Sequence, residues 1–520
     1  MFEHFDMLDG FNEIESDLLG PFVWTQGTFR LRLKRDACFA VAELCYNGVQ
    51  GTVSMSSERR PVAKLSIDSG WGSYPVRLVG QAGDLFDCEV SPVIAVAGDT
   101  RQLGVMLRQI EVIDDAERFE MMGETLRNLR TNEREYLEGR TILESLPPQL
   151  RINMEVRCNI PETGPACVYC AWDWAKVRER GSPAFELDTL AQLGDFYRCA
   201  QKINDCSIGE PTMHKDFGAI VARLNRDGKP FSLTSNGQLL GAKRRHELLG
   251  KDVELYVSID SATAEGYERY RNKRFTEIIN NLRVLCREKK AHGDLPRVFV
   301  SLIAMRSNAE ELPEFFALMR EIGVDAVKVR SLYLDENLHV DALNGGYRFS
   351  YPDEIVRTTE QAILFPHIRE LARENELPVY IESEDTEILS TPAGAPLCDE
   401  PWKTLYILRR GIMPCCYAAE PIATWDQQQD RPLDEFLREV FNGPAYRELR
   451  TELAAGRLPD FCMNTPSCPI VQRHREQGLI DAPANALEQR KVEAPPGQAP
   501  LVLPMVPLEN LTAGANARAA

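Results

Sequence analysis

Apolar and polar positions alternate from about residue 22 to 114: Phe29, Leu31 and Leu33 are separated by arginines, and an apolar run follows from Cys38 to Val41. Further short apolar stretches around Ile67, Val76, Phe86 and Val105 come at close intervals with Gly, Ser and Asp between them. A period of two marks half-buried strands, and a series of them predicts a self-contained antiparallel, β-sandwich-like domain. Its cysteines, Cys38, Cys45 and Cys88, have no ligand spacing and read as small core residues. Residues 115–150 then turn charged and helical and end at Pro147-Pro148, as a linker helix would. From residue 151 six short apolar runs alternate with amphipathic helical stretches. That order predicts an α/β unit, a partial parallel (β/α)6 barrel, over residues 151–390. A cysteine-rich segment occupies 391–480, and the Ala- and Pro-rich stretch 481–520 has no period and is expected to be disordered. Residues 1–21 are expected to form an acidic segment outside the β-domain.

Composition narrows the classes. With 60 Lys and Arg against 78 Asp and Glu, the net charge of −18 denies the chain the broad positive field that sequence-independent nucleic-acid binding needs. No apolar run approaches the ~20 residues that span a bilayer, and the first twenty residues lack the basic and apolar regions of a signal peptide. A cytoplasmic location with no nucleic-acid and no membrane partner is therefore expected. In that setting the 14 cysteines read as free core residues or metal ligands. The seven histidines are scattered without i,i+4 pairing, which argues against a histidine-based hydrolase.

The cysteines fall into two groups. Cys158, Cys167 and Cys170 share the loop after the first strand of the α/β unit, and the active edge of such a unit is the carboxyl end of its strands. Three protein thiolates on a four-iron cluster leave one iron open for a small molecule. A zinc site would need a fourth Cys or His, and the loop contains none. Cys398, Cys415 or Cys416, Cys462 and Cys468 form the second set, with the hairpin between Leu405 and Cys416 bringing its ends together. Adjacent residues on a strand point to opposite faces, so only one of Cys415 and Cys416 is expected to ligate. The Pro-Cys-Cys alignment favours Cys415, whereas the spacing from the turn glycine favours Cys416. In isolation this set also suits a four-thiolate zinc knuckle.

The first cysteine loop, with Tyr169 just before its last cysteine, resembles that of radical S-adenosylmethionine (SAM) enzymes. Eight residues separate Cys158 from Cys167, more than is usual in the family, and Pro161, Gly164 and Pro165 mark the insertion. Later motifs follow in order. Gly209-Glu210-Pro211 is similar to the family's glycine-glutamate motif after strand two, Ser235-Asn236-Gly237 resembles its turn after strand three, and Ser258 and Asp260 stand at the matching end of strand four. The resemblance implies that Glu210 and adjacent carbonyls accept from the methionine amino group, that Ser258 and Asp260 reach ribose or carboxylate, and that Arg330 lies near the SAM carboxylate. The segment Cys398-x-x-Pro401-Trp402, the Pro-Cys-Cys hairpin and the later cysteine pair resemble the SPASM/twitch-like extension of the same enzymes, with Thr465 where a further cysteine is usual. The resemblance spans about 151–475 and implies a 4Fe-4S cluster with SAM, one auxiliary 4Fe-4S cluster, a flavodoxin- or ferredoxin-like reductant, and oxidoreductase or transferase chemistry on a carbohydrate or peptide substrate. The competing expectation is a zinc-stabilised glycan-binding protein, with Trp24, Phe29, Trp71 and Tyr74 as a sugar-stacking face.

Overall fold

The computed structural model describes residues 4–17, 20–58, 60–95, 101, 103–170, 185–271, 273–332, 341–344, 346–382, 394–415, 421–463 and 468–479. Cys416, Thr465 and the 481–520 stretch lie outside the described residues.

The N-terminal unit is built from β1 (Phe5–Asp17), β2 (Gly20–Leu33), β3 (Ala37–Ser57), β4 (Arg60–Gly80), β5 (Leu85–Ser91) and β6 (Met106–Ile113). Alternation sets the faces: Phe29, Leu31 and Leu33 are buried while Arg30 and Arg32 are exposed. The expected two-sheet sandwich is replaced by one antiparallel sheet, ordered β1-β2-β5-β3-β4, in which β6 pairs with both β2 and β3. Strand length is the reason. A strand of 21 residues would extend about 70 Å if straight, so β3 bends around the core and changes partner, pairing with β6 over Phe39–Cys45 and with β5 over Thr52–Ser56. The β3–β4 ladder shifts register between Tyr46 and Gln50, where the bend falls. β1 lies in the stretch expected to stand apart as an acidic segment. It pairs with β2 and buries Phe5, so 5–17 belongs to this sheet. Cys45 and Cys88 are buried as expected of core residues, but Cys38 is exposed, on the outer side of the alternation.

Helix α1 (Ala116–Leu137) starts at Asp115, whose carboxylate accepts from the N–H groups of Glu117 and Arg118. The α/β unit follows. Strands β7 (Gln149–Ile152), β8 (Lys202–Asp205), β9 (Phe231–Ser235), β10 (Val253–Ser258), β11 (Arg297–Ala304) and β12 (Ala326–Ser331) are parallel neighbours in chain order. The helices Phe217–Arg226, Ala242–Leu248, Phe275–Lys289 and Leu312–Ile322 separate successive strands from β8 to β12, and their apolar faces bury Ile220, Leu224, Leu282 and Phe316 against Leu233, Val257 and Val300.

A short hairpin, β13 (Asp341–Asn344) with β14 (Tyr347–Ser350), forms a separate two-stranded sheet. The main sheet is wider than the six expected strands. β15 (Val379–Ile381) runs parallel beside β12, β16 (Thr404–Leu408) runs parallel beside β7, and β17 (Gly411–Met413) closes the hairpin with β16. β16 satisfies the open edge of β7 and buries Leu405 and Ile407 there, which joins this part of the cysteine-rich segment to the parallel sheet. Among the described residues β15 and β17, the sheet's two edges, do not pair with each other, and no helix is long and apolar enough to cross a membrane.

Candidate functional site

The loop after β7 is fixed by a buried carboxylate. Glu155 accepts from the N–H groups of Val156 and Arg157, both at 3.0 Å, and from the Arg157 guanidinium at 2.7 and 3.1 Å. This turns the chain so that Cys158 stands at the start of the short helix Asn159–Thr163. The Cys170 N–H donates to the Cys167 carbonyl at 3.0 Å, a turn that brings these two cysteines together. Burial, joined by the charges of Cys167 and Cys170, pushes the Cys158 thiol up to about 12. Burial pushes the Cys167 thiol up to about 11, with Arg271 opposing. Such thiols lose their protons only to a strongly bound cation. Among the described residues no three His, Cys, Asp or Glu side chains close on a single ion. A cubane takes its thiolates at separate corners, so three cysteines spread along one loop are the donor set it would need.

The loops after β8 and β9 are locked onto this cysteine loop. Gly209 N–H donates to Glu155 O at 3.1 Å and Glu210 N–H to Arg157 O at 2.7 Å. Only glycine fits at 209, since a Cβ there would lie 2.1 Å from Arg157 O. Pro211 opens the single turn Pro211–Met213. The buried Glu210 carboxylate accepts from Ser235 Oγ at 2.8 Å, Asn236 N at 2.7 Å, Thr212 N at 3.2 Å and the Thr212 hydroxyl. Burial raises its pKa even so. The Asn236 amide donates to Asn159 Oδ1 at 2.8 Å and lies 3.9 Å from Cys158 Sγ, while Asn159 donates to Gln238 Oε1 at 2.7 Å. Glu210, Ser235 and Asn236 are therefore brought together next to Cys158.

Asp260 and Arg330, both expected near SAM, have protein partners of their own. Asp260 is fully buried, and its carboxylate accepts from Ile303 N at 2.9 Å, from the Arg271 guanidinium at 2.9 Å and from the Tyr169 hydroxyl. These bonds tie it to the cysteine loop through Tyr169 and to β11 through Ile303. Tyr169 is held from the other side by Tyr351, whose hydroxyl donates to its carbonyl at 3.0 Å. Arg330 is ion-paired with Glu382 at 2.8 Å on the β12–β15 side of the sheet, apart from the Glu210 network on the β8–β9 side. Ser258, half-buried, ends β10 opposite Ser301. Sequence reasoning passed over Glu155, Asn159, Thr212, Gln238 and Arg271. Only Glu155, a carboxylate in the mostly apolar run before Cys158, carried any signal, and Arg271 lies in a charged run that reads as solvated.

The second constellation is assembled from distant segments. Cys398, Cys415, Cys462 and Cys468 line one cavity whose wall is otherwise mainly Pro, Leu, Ile and Phe side chains, with Glu400 the charged residue on it. Burial holds the Cys398 thiol well above its usual range, pushes Cys462 up to about 12 and raises Cys468. Four soft sulfur donors around an apolar space fit a group bound entirely by thiolates. The sugar-stacking face is not formed: Trp24, Phe29 and Tyr74 are buried. Trp71 packs edge-on against Phe22 beneath the Arg108 guanidinium, 3.8 Å from the ring centre.

No family model matches the chain. It is 28% identical over 128 residues to the tungsten-containing aldehyde ferredoxin oxidoreductase cofactor-modifying protein of Pyrococcus furiosus, covering 24% of this chain and 36% of that protein. It is 30% identical over 195 residues to the probable GTP 3',8-cyclase of Methanocaldococcus jannaschii, covering 36% of this chain and 60% of that protein. The matches thus span less than two thirds of either relative. Among solved structures, SuiB of Streptococcus suis bound to S-adenosylmethionine is similar with a TM-score of 0.44 and 14% identity, over 70% of this chain and 78% of that one.

Proposed function

We propose, from the premise that this chain is similar to the radical SAM enzymes, that it uses S-adenosylmethionine for radical hydrogen abstraction from a carbohydrate or peptide substrate. Cys158, Cys167 and Cys170 would hold a four-iron, four-sulfur cluster, and Cys398, Cys415, Cys462 and Cys468 one auxiliary cluster of the same kind. The chemistry such a centre supplies when bound, with an electron from a flavodoxin- or ferredoxin-like protein, is reductive cleavage of SAM to methionine and a 5′-deoxyadenosyl radical.

The observation that carries this reading is the grouping of three thiols on one loop at the carboxyl edge of a parallel sheet, with the next two strand-end loops bonded to it. In α/β sheets ligands bind at that edge. The chain's own residues then have distinct tasks. Glu210, its acceptor positions filled by Ser235, Thr212 and Asn236, is a positioning residue that keeps the loops after β8 and β9 in register with Cys158. Asn236 orients the first cysteine through Asn159. Asp260 and Tyr169 fix the second half of the cysteine loop, and the half-buried Ser258 at the end of β10 remains for contact with bound SAM.

Anaerobic purification followed by iron, sulfide and zinc analysis tests the cofactor assignment. Incubation with SAM and dithionite, scored for 5′-deoxyadenosine with peptide and carbohydrate candidates, tests the reaction. Iron, sulfide and 5′-deoxyadenosine are expected, and their loss on Cys167→Ala. Zinc without iron would favour the zinc-stabilised binding protein, and an iron-loaded protein that never cleaves SAM would end the catalytic reading.

A further inference from the structure

Arg271, which no motif singles out, is a buried cation beside the cysteine loop. It directly follows the helix Ala264–Tyr270 and is 7% exposed, an unusual depth for a charged side chain. Its Nε lies 2.9 Å from Asp260 Oδ2, its NH1 lies 4.0 Å from Cys167 Sγ, and its guanidinium carbon stands 5.3 Å from the Tyr169 ring centre. The surrounding backbone is also tied down. Asn344 Nδ2 donates to Arg271 O at 2.8 Å, Val168 N to Tyr270 O at 2.9 Å, and Asn308 Nδ2 to Asp260 O at 2.9 Å.

A buried cation is tolerated where an anion compensates it. Asp260 supplies one, and its carboxylate is shared with Ile303 N and the Tyr169 hydroxyl, so its orientation is fixed. The guanidinium is thereby aimed with its Nε–H at Asp260 and a second N–H at the Cys167 sulfur. Adding an electron to a thiolate-bound cluster adds negative charge beside that N–H, and in a dry site a fixed cation at this range favours the reduced form.

We propose that Arg271 is a positioning residue that sets the reduction potential of the cluster held by Cys158, Cys167 and Cys170, with Asp260 aiming its guanidinium at the Cys167 sulfur. The inference rests on the reading in the preceding subsection and deepens it.

Redox titration of the anaerobically reconstituted full-length protein, followed by electron paramagnetic resonance in the absence of SAM, tests it. In Arg271→Gln the reduction equilibrium should fall at least tenfold, a shift of about 59 mV to more negative potential for one electron. Arg271→Lys, which keeps the charge without the planar fork, should recover part of the shift. Asp260→Asn removes the compensating anion and should move the potential the opposite way. An R271Q cluster within twofold of wild type overturns the proposal. If R271Q fails to hold iron, D260N decides: a more positive potential supports the proposal, while an unshifted one, or loss of iron there too, leaves Arg271 a purely structural residue and overturns it. A wild-type protein with no iron–sulfur cluster defeats the earlier reading instead, so the two failures are distinct.

Discussion

Asp205, at the end of β8, makes a residue-scale prediction that separates burial from bonding. Its carboxylate accepts from Ser207 Oγ at 2.6 Å, Met154 N at 3.1 Å and Ser207 N at 3.2 Å, all of which favour ionisation, yet burial wins and pushes it up to about 7. The folded state therefore binds a proton that the unfolded chain, near the usual carboxylate value of about 3.9, has already released. Stability from this group is complete below about pH 4 and is lost as pH rises toward 7. At ~1.4 kcal/mol per unit, the wild type should lose about 3 kcal/mol relative to Asp205→Asn between pH 5 and pH 8. Denaturant titrations of both proteins at the two pH values check this, and parallel behaviour would show that Asp205 ionises freely in the fold. Nothing in the sequence distinguishes this aspartate from a surface one, just as Arg271 sits unmarked in a charged run. Burial of single charged residues depends on which loops cross over them, and that is set by tertiary contacts far away in the chain.

At the scale of elements, the strand-end loops act as a stack, and Gly209 is where two of them touch. A Cβ there would meet Arg157 O at 2.1 Å and the Val156 carbonyl carbon at 2.6 Å, backbone atoms that cannot swing aside. Gly209→Ala should cost about 1–3 kcal/mol through forced separation of the loops and should deplete iron at the three-cysteine site, read by calorimetry and metal analysis. Gly241, with nothing within 4 Å of its would-be Cβ, is the matched control, and G241A should leave the iron content unchanged. Equal iron in both variants would show that the loops are not coupled. The parallel order β7 to β12 was legible, because each strand-helix pair carries its own hydrophobic period, and so were the cysteine, Gly-Glu-Pro and Ser-Asn-Gly segments as parts of one neighbourhood. The roles within it were less so. Asp260 was expected at the end of strand four, but its bonds to Tyr169 and Arg271, which come from other elements, carried no signal in the sequence. The hairpin β16–β17 was expected from its turn, yet its attachment to β7 depends on an open sheet edge, which no local pattern encodes. The bend that turns a sandwich into one sheet likewise arises from partner exchange along β3.

Over the whole molecule, α1 is less a linker than a shared wall. On one side Arg130 bonds Asp68 of β4 at 2.7 Å. On another, Thr125 Oγ1 donates to Arg198 O at 2.9 Å, Glu124 pairs with Arg198 at 2.8 Å, and the buried Lys229 donates to Thr125 Oγ1 at 2.9 Å. Toward the C-terminal region, Asn132 donates to Trp402 O at 2.9 Å, Tyr136 to Pro396 O at 3.2 Å, and Lys403 pairs with Glu133 at 2.9 Å. One helix thus joins the β-sheet unit, the parallel sheet and the segment beside the four-cysteine cavity. Glu135 fixes the chain that leaves it: fully buried, its carboxylate accepts from Glu144 N at 2.7 Å, Ser145 N at 3.1 Å and Ser145 Oγ at 2.5 Å. Glu135→Ala orphans these donors at about 1–3 kcal/mol each. Because α1 is common to all three regions, that loss should be felt by all of them together. Calorimetry should give one transition for the wild-type chain, displaced as a whole to lower temperature in the variant. A β-sheet component that keeps its wild-type midpoint while the rest moves would show that α1 only tethers it, and that the β-unit folds independently of the parallel sheet.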